Sequence, residues 1–126
     1  MFDSGAEIHM LQPITGHAWK KIMRAKRPLV YDIESIPEPH LIFNQMVEWA
    51  KSHHDINVTN FDNYHTWNMG LGYVIIAPQS EGSKIKQVAE KHGLQSYEMG
   101  KVKASKDNTK AVRIAPPVDV TYQEVA

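Results

Sequence analysis

An apolar run that starts at two glycines and stops at a proline constrains this chain more than any other feature. Trp67-Asn68-Met69-Gly70-Leu71-Gly72-Tyr73 leads without a break into Val74-Ile75-Ile76-Ala77, and Pro78 closes it. Read as a strand, the first part places Asn68, Gly70 and Gly72 on one face and Met69, Leu71 and Tyr73 on the other, because alternate strand residues point to opposite sides. Glycine weakens a strand through entropy and lost packing. Two of them on one bare face therefore imply close approach by a ligand or another backbone, or tight packing of a helix on the sheet. The apolar run from Tyr73 to Ala77 reads as a buried central strand.

Length and composition set the frame. At 126 residues and 42% hydrophobic content, residues 1–126 are expected to form a single domain that buries a core unaided. The 14 Lys and Arg balance the 14 Asp and Glu, so no overall field favours nucleic acid or an anionic membrane as partner. With no cysteine there is no disulfide, thiolate metal site or thiol nucleophile. No apolar stretch nears the roughly 20 residues that span a bilayer, and the polar start Met1 to Glu7 lacks a signal-peptide layout. The expected location is the cytoplasm.

In chain order, Met1 to Glu7 reads as a frayed tail and Ile8 to Ile14, ending near Pro13, as a short or edge strand. Thr15-Gly16 offers a helix start. Ala18, Trp19, Ile22 and Met23 then share one side, cations gather toward the helix end, and Pro28 closes it. Leu29 to Ile33 is a second strand. Pro39 suits the first turn of an amphipathic helix whose apolar side is Ile42, Phe43, Met46, Val47, Trp49 and Ala50, and that side is expected to lie on the sheet. Thr59 or Asn60 caps a short helix ending near His65. After Pro78, a third helix carries Ile85, Val88 and Ala89 up to Gly93, a residue suited to left-handed termination. Gln95 to Val102 and Ala111 to Ile114 alternate apolar with polar residues around a lysine-rich loop, and predict an antiparallel hairpin. Val118 to Ala126 is extended or loose. The expected fold is α+β with α/β-type layers, a mixed sheet with helices packed on it, near Trp19, Trp49 and Ile85.

Two constellations invite chemistry. In Ile14-Thr15-Gly16-His17-Ala18 a helix start offers free N–H groups, with a hydroxyl at Thr15 and open backbone at Gly16, so the turn suits a phosphate or carboxylate. The alternative is an ordinary capped helix with a surface histidine. The group His53-His54-Asp55, with His65, lacks the i, i+4 spacing of a helical metal pair, so no metal site is expected and a solvated helix end is the reading. No Walker loop, GxSxG or carboxylate cluster is visible, which leaves the catalytic residues unassigned.

At these motifs the chain resembles a family. Ile14-Thr15-Gly16-His17-Ala18-Trp19-Lys20-Lys21-Ile22-Met23-Arg24 is similar to the ITGGG…PR segment of the phosphoribosylformylglycinamidine cyclo-ligase (aminoimidazole ribonucleotide synthetase) family, above all to its ITGHGWRKLMR-like versions. Trp67-Asn68-Met69-Gly70-Leu71-Gly72-Tyr73 resembles that family's FNMGxG segment, in the expected order and separation. The likeness runs from about Gly5 to Ile114 and covers the C-terminal domain alone. It implies that Thr15, Gly16, His17, Asn68 and Gly70 line the substrate side of a cleft shared with an amino-terminal domain, expected to be absent here, that carries most ATP and magnesium contacts. His17 and Ala18 stand where the commoner motif has glycines, Trp67 where it has phenylalanine, and Pro13 where many members have histidine.

The resemblance implies the substrate-side half of an ATP-dependent enzyme that closes the imidazole ring in purine synthesis, inactive alone. No cofactor is expected in this chain, ATP and Mg2+ belonging to the complete enzyme. The expected partners are a ribonucleotide substrate and a separate ATP-binding domain or chain. A stand-alone binding module of the same fold is the rival reading, as is the matching domain of selenophosphate synthetase, thiamine monophosphate kinase, the hydrogenase maturation factor or formylglycinamidine synthase. Oligomeric state stays open, a homo-oligomer included.

Overall fold

The computed structural model of the chain describes residues 5–125, so most of the tail expected at Met1 to Glu7, together with Ala126, lies outside the described residues. In order, the elements are β1 (Met10–Pro13), a 3-10 helix (Ala18–Arg24), β2 (Leu29–Ile33), α1 (Leu41–His54), α2 (Asn60–Thr66), β3 (Tyr73–Ile76), a short 3-10 turn (Gln79–Glu81), α3 (Gly82–Lys91), β4 (Gly100–Ala104), β5 (Thr109–Ile114) and β6 (Val120–Val125). The class is α+β, with four strands in one mixed sheet of order β4-β2-β5-β6 and two in a separate antiparallel ribbon, β1-β3.

The sheet differs from the expected hairpin. β4 and β5 do not pair with each other, because β2 lies between them, antiparallel to β4 and parallel to β5. Their connection passes the start of β2, where the Ser105 amide donates to the Pro28 carbonyl at 3.0 Å. Beyond it, the Asp107 carboxylate accepts from the Ser105 and Thr109 hydroxyls, both at 2.7 Å. These bonds, with the Thr109 hydroxyl as the main cause, lower the Asp107 pKa from 3.8 to about 2. Side-chain bonds of this kind fix a turn without a two-residue hairpin.

The core lies on one face of the sheet. Register puts Tyr31 beside Val112 and Val112 beside Tyr122, and Ile33 beside Ile114 and Ile114 beside Val120, so these six apolar side chains share a face. Against it pack Trp19, Ile22 and Met23 of the 3-10 helix, with Tyr64 of α2 and Met69. The Tyr122 hydroxyl donates to the Phe61 carbonyl at 2.6 Å, which ties α2 to the edge strand. Burial raises the Tyr122 pKa strongly, the chief cause, with the Asp62 charge adding to it. α2 starts with a capping box, Thr59 accepting from the Asp62 amide and Asp62 from the Thr59 amide.

The opposite face carries a charged cluster beside the buried Val30 and Ala111. Asp32, Lys101, Lys103 and Arg113 fall there by register, and the Lys103 ammonium meets the Asp32 carboxylate at 2.7 Å. An apolar helix gains little by covering charges, which explains a second departure from the expected packing. α1 does not pack on the sheet, none of its residues is buried, and Leu41, Ile42, Met46 and Trp49 are exposed. α3 buries Ala89 alone and leaves Ile85 half-buried. Of the three helices expected over the sheet, the one near Trp19 covers it.

β3 is also not the central strand expected from its apolar run. It pairs with β1 alone, and within it Val74 is the one buried residue. The residues before it, Asn68 to Gly72, form a turn rather than a strand, with Met69 at φ 56° and Gly70 at φ 100°. The alternation of faces expected for Asn68, Gly70 and Gly72 is therefore absent, since a left-handed turn breaks the two-residue period. No helix among the described residues is long and apolar enough to cross a membrane.

Candidate functional site

The β1-β3 ribbon brings the two motifs together. Antiparallel register sets Pro13 opposite Tyr73, and the ladder runs one step further, the Ile14 amide donating to the Gly72 carbonyl at 2.8 Å. The segment leaving β1, residues 14–17, thus lies beside the segment arriving at β3, residues 67–72. A hollow of about 260 Å³ opens there, lined by Ile14, Thr15, Phe43, Thr66, Trp67 and Asn68. Phe43 and Trp67 form its aromatic wall, with ring centroids 5.8 Å apart.

Of the five expected site residues, Thr15 and Asn68 meet in this hollow. The Asn68 side-chain oxygen accepts from the Gly70 amide at 2.9 Å, an Asx turn that orients the side chain. Gly70 does not present a bare face to solvent. A Cβ built there would stand 2.7 Å from the His40 ring, so the close approach is made by a histidine of this chain. Gly16 is exposed, and a Cβ on it would meet nothing within 4 Å. Obstruction by a side chain at Gly16 therefore has no basis in the protein's own packing. His17 stands beside His65, their rings edge-on at 6.3 Å, and lines a second hollow that shares no lining residue with the first.

The helix start expected at Thr15 takes another form. His17 and Ala18 are left-handed, at φ 65° and 38°, and the Ala18 amide donates to the Thr15 carbonyl at 2.6 Å in a tight turn. The turn opens into a 3-10 helix with no side-chain cap. Charge reaches Thr15 by a different route, since the Lys21 ammonium donates to its hydroxyl. In the sequence alone, Lys21 reads as a dipole partner and Phe43 as a sheet-facing residue. The aromatic pair across α1 and the turn has no local signal, because it depends on how α1 crosses the ribbon.

His53 and His54 lie exposed at the end of α1, flanking Trp49 at ring distances of 5.0 and 4.8 Å. Among the described residues, no group of three or more His, Asp or Glu is placed to hold a metal ion.

Sequence comparison relates this architecture to known proteins. Phosphoribosylformylglycinamidine cyclo-ligase of Methanocaldococcus jannaschii is 28% identical over 100 residues, covering 79% of this chain and 27% of that protein. The protein of the same name from Methanobrevibacter smithii is 30% identical over 122 residues, 97% of this chain and 33% of that one. The Synechococcus relative of that name shows 29% over 106 residues, 83% of this chain and 30% of that protein. This chain spans about a quarter to a third of the length of these relatives. Residues 29–113, from the start of β2 almost to the end of β5, match the model of the AIR synthase related protein, C-terminal domain, and the chain belongs to that family.

Proposed function

We propose that this chain is the substrate-side part of a phosphoribosylformylglycinamidine cyclo-ligase, acting in ATP-dependent imidazole ring closure in purine synthesis, and that it does no chemistry alone. The observation that carries the reading is the pairing of β1 with β3, which places Thr15 and Asn68 in one hollow with Lys21 beside it. Much longer relatives bear the enzyme's name.

In this reading, hydroxyl, amide and ammonium groups hold the phosphate and ribose of a ribonucleotide, while Phe43 and Trp67 cover an apolar part of it. The contribution is orientation and electrostatics, which supply rate without bond-making by the holder. ATP and Mg2+ fall to a separate ATP-binding domain or chain, and the site works in the cytoplasm.

A chimera tests the division of labour. The amino-terminal part of the Methanocaldococcus jannaschii relative, joined to this chain in place of its own matching region, is expected to form aminoimidazole ribonucleotide from ATP and the formylglycinamidine substrate. This chain alone is expected to hydrolyse no ATP. A folded but inactive chimera that still binds a ribonucleotide favours the non-catalytic binding module, and turnover by the isolated chain contradicts the proposal.

A further inference from the structure

A second hollow, about 250 Å³, shares no lining residue with the one at Thr15 and Asn68. His17, Lys20, Lys21, Arg24, Lys110 and Glu124 are among the residues that line it. Four permanent cations face one carboxylate in a chain whose net charge is zero. The cations come from two elements that the core holds together. Lys20, Lys21 and Arg24 sit on the 3-10 helix, whose Trp19, Ile22 and Met23 are clamped to the sheet, and Lys110 stands on β5.

Neutralisation within the chain is incomplete. Among the described residues, the side chains of Lys20 and Arg24 have no hydrogen-bond or ion-pair partner. The Lys110 side chain is 17% exposed, and its one carboxylate contact is Glu124 at 3.9 Å, the outer limit of an ion pair. A contact at that distance neutralises little charge, and like charges gathered around a concavity raise the local anion concentration. The first hollow has no charged residue in its own lining, and Lys21 reaches it through the Thr15 hydroxyl alone.

We propose that this basic hollow is a binding site for a diphosphate group, free or carried by a nucleoside. A diphosphate matches cations set on two walls better than a monophosphate, because its two phosphoryl groups can meet the 3-10 helix and β5 at once. Arg24 supplies a fork of N–H donors and the lysines supply point charges. Glu124 is the one carboxylate of the lining and offsets part of the positive charge. The site is separate from the Thr15–Asn68 hollow, and the proposal does not depend on the function proposed above.

Calorimetric titration of the purified chain at low ionic strength with inorganic pyrophosphate, inorganic phosphate and ADP tests it. Pyrophosphate is expected to bind about tenfold more tightly than phosphate, and to weaken as salt rises. Equal affinity for ADP identifies the diphosphate as the recognised group, and tighter ADP binding adds a nucleoside contact to the site. Arg24→Gln and Lys20→Gln, at the surface, are each expected to weaken pyrophosphate about fivefold or more, a loss of about 1 kcal/mol per contact. Lys110→Gln is expected to do the same, while Lys106→Gln leaves binding unchanged. Absence of pyrophosphate binding, an equal loss in Lys106→Gln, or tighter binding of a single-stranded oligonucleotide that grows with its length overturns the proposal, the last in favour of a nucleic-acid surface.

Discussion

Replacing Gly100 with alanine is expected to lower the free energy of unfolding by about 3 kcal/mol, the upper part of the range for forced overpacking. Gly100 pairs with Ile33 at the end of the β2-β4 ladder. A Cβ there would stand 1.9 Å from the Asp32 carbonyl oxygen and 2.9 Å from its carbon. Both are backbone atoms of the adjoining strand and have no rotamer to escape into. β4 must therefore move off β2, and the neighbouring bonds from the Glu34 and Ser35 amides to the Met99 carbonyl, 2.8 and 3.0 Å, go with it. Urea denaturation measures the loss, and hydrogen exchange is expected to show those two amides unprotected first. A change under about 0.5 kcal/mol, the usual scatter of surface substitutions, contradicts this register.

A second large effect separates two tryptophans that look alike in the sequence. Trp19 is fully buried and packs beside Tyr64, with ring centroids 6.2 Å apart. Trp19→Ala is expected to cost about 4 kcal/mol, as for other large core side chains cut to alanine. Trp49 is 55% exposed, on a helix with no buried residue. Trp49→Ala is expected to cost under about 1 kcal/mol. Equal losses in the two variants, read from denaturation midpoints, contradict the placement of α1 away from the sheet.

That contrast marks how far the fold is legible in the sequence. Local signals hold wherever a residue's neighbours in sequence decide its conformation. Pro28 bounds β2, Thr59 caps α2, and Gly93 takes a left-handed φ of 69° just past α3. Periodicity is informative for Ala18, Trp19, Ile22 and Met23, which are all buried, and misleading for Ile42, Met46 and Trp49, which have the same pattern. An apolar stripe states that a helix has a face to cover, and does not name what covers it. Here the sheet face left available is taken up by Asp32, Lys103 and Arg113.

The site divides in the same way. The motifs at Thr15 and Asn68 are visible in the sequence, while the pairing of β1 with β3 that joins them carries no local signal, the run at β3 reading as a central strand. The turn at Met69 and Gly70 reads as a strand because its apolar residues happen to alternate. The left-handed angles that break the strand follow from the Asn68 side chain bonding the Gly70 amide and from His40 filling the space beside Gly70. The basic hollow is hidden for another reason. Lys110 lies far from Lys20 and Arg24 in sequence, and the helical cations alone look like an ordinary solvated end.

The central claim, that the β1-β3 ribbon builds a ribonucleotide-phosphate site, is tested most directly by an amide NMR titration of the chain with AMP. Binding is expected to be weak, since a hollow with one open side leaves the ligand partly solvated. A site in this hollow predicts shifts at Thr15, Gly16, Trp67 and Asn68 that diminish in Asn68→Ala. Shifts confined to His53 and His54, shifts confined to Lys20, Arg24 and Lys110, or a response unchanged by Asn68→Ala would contradict it.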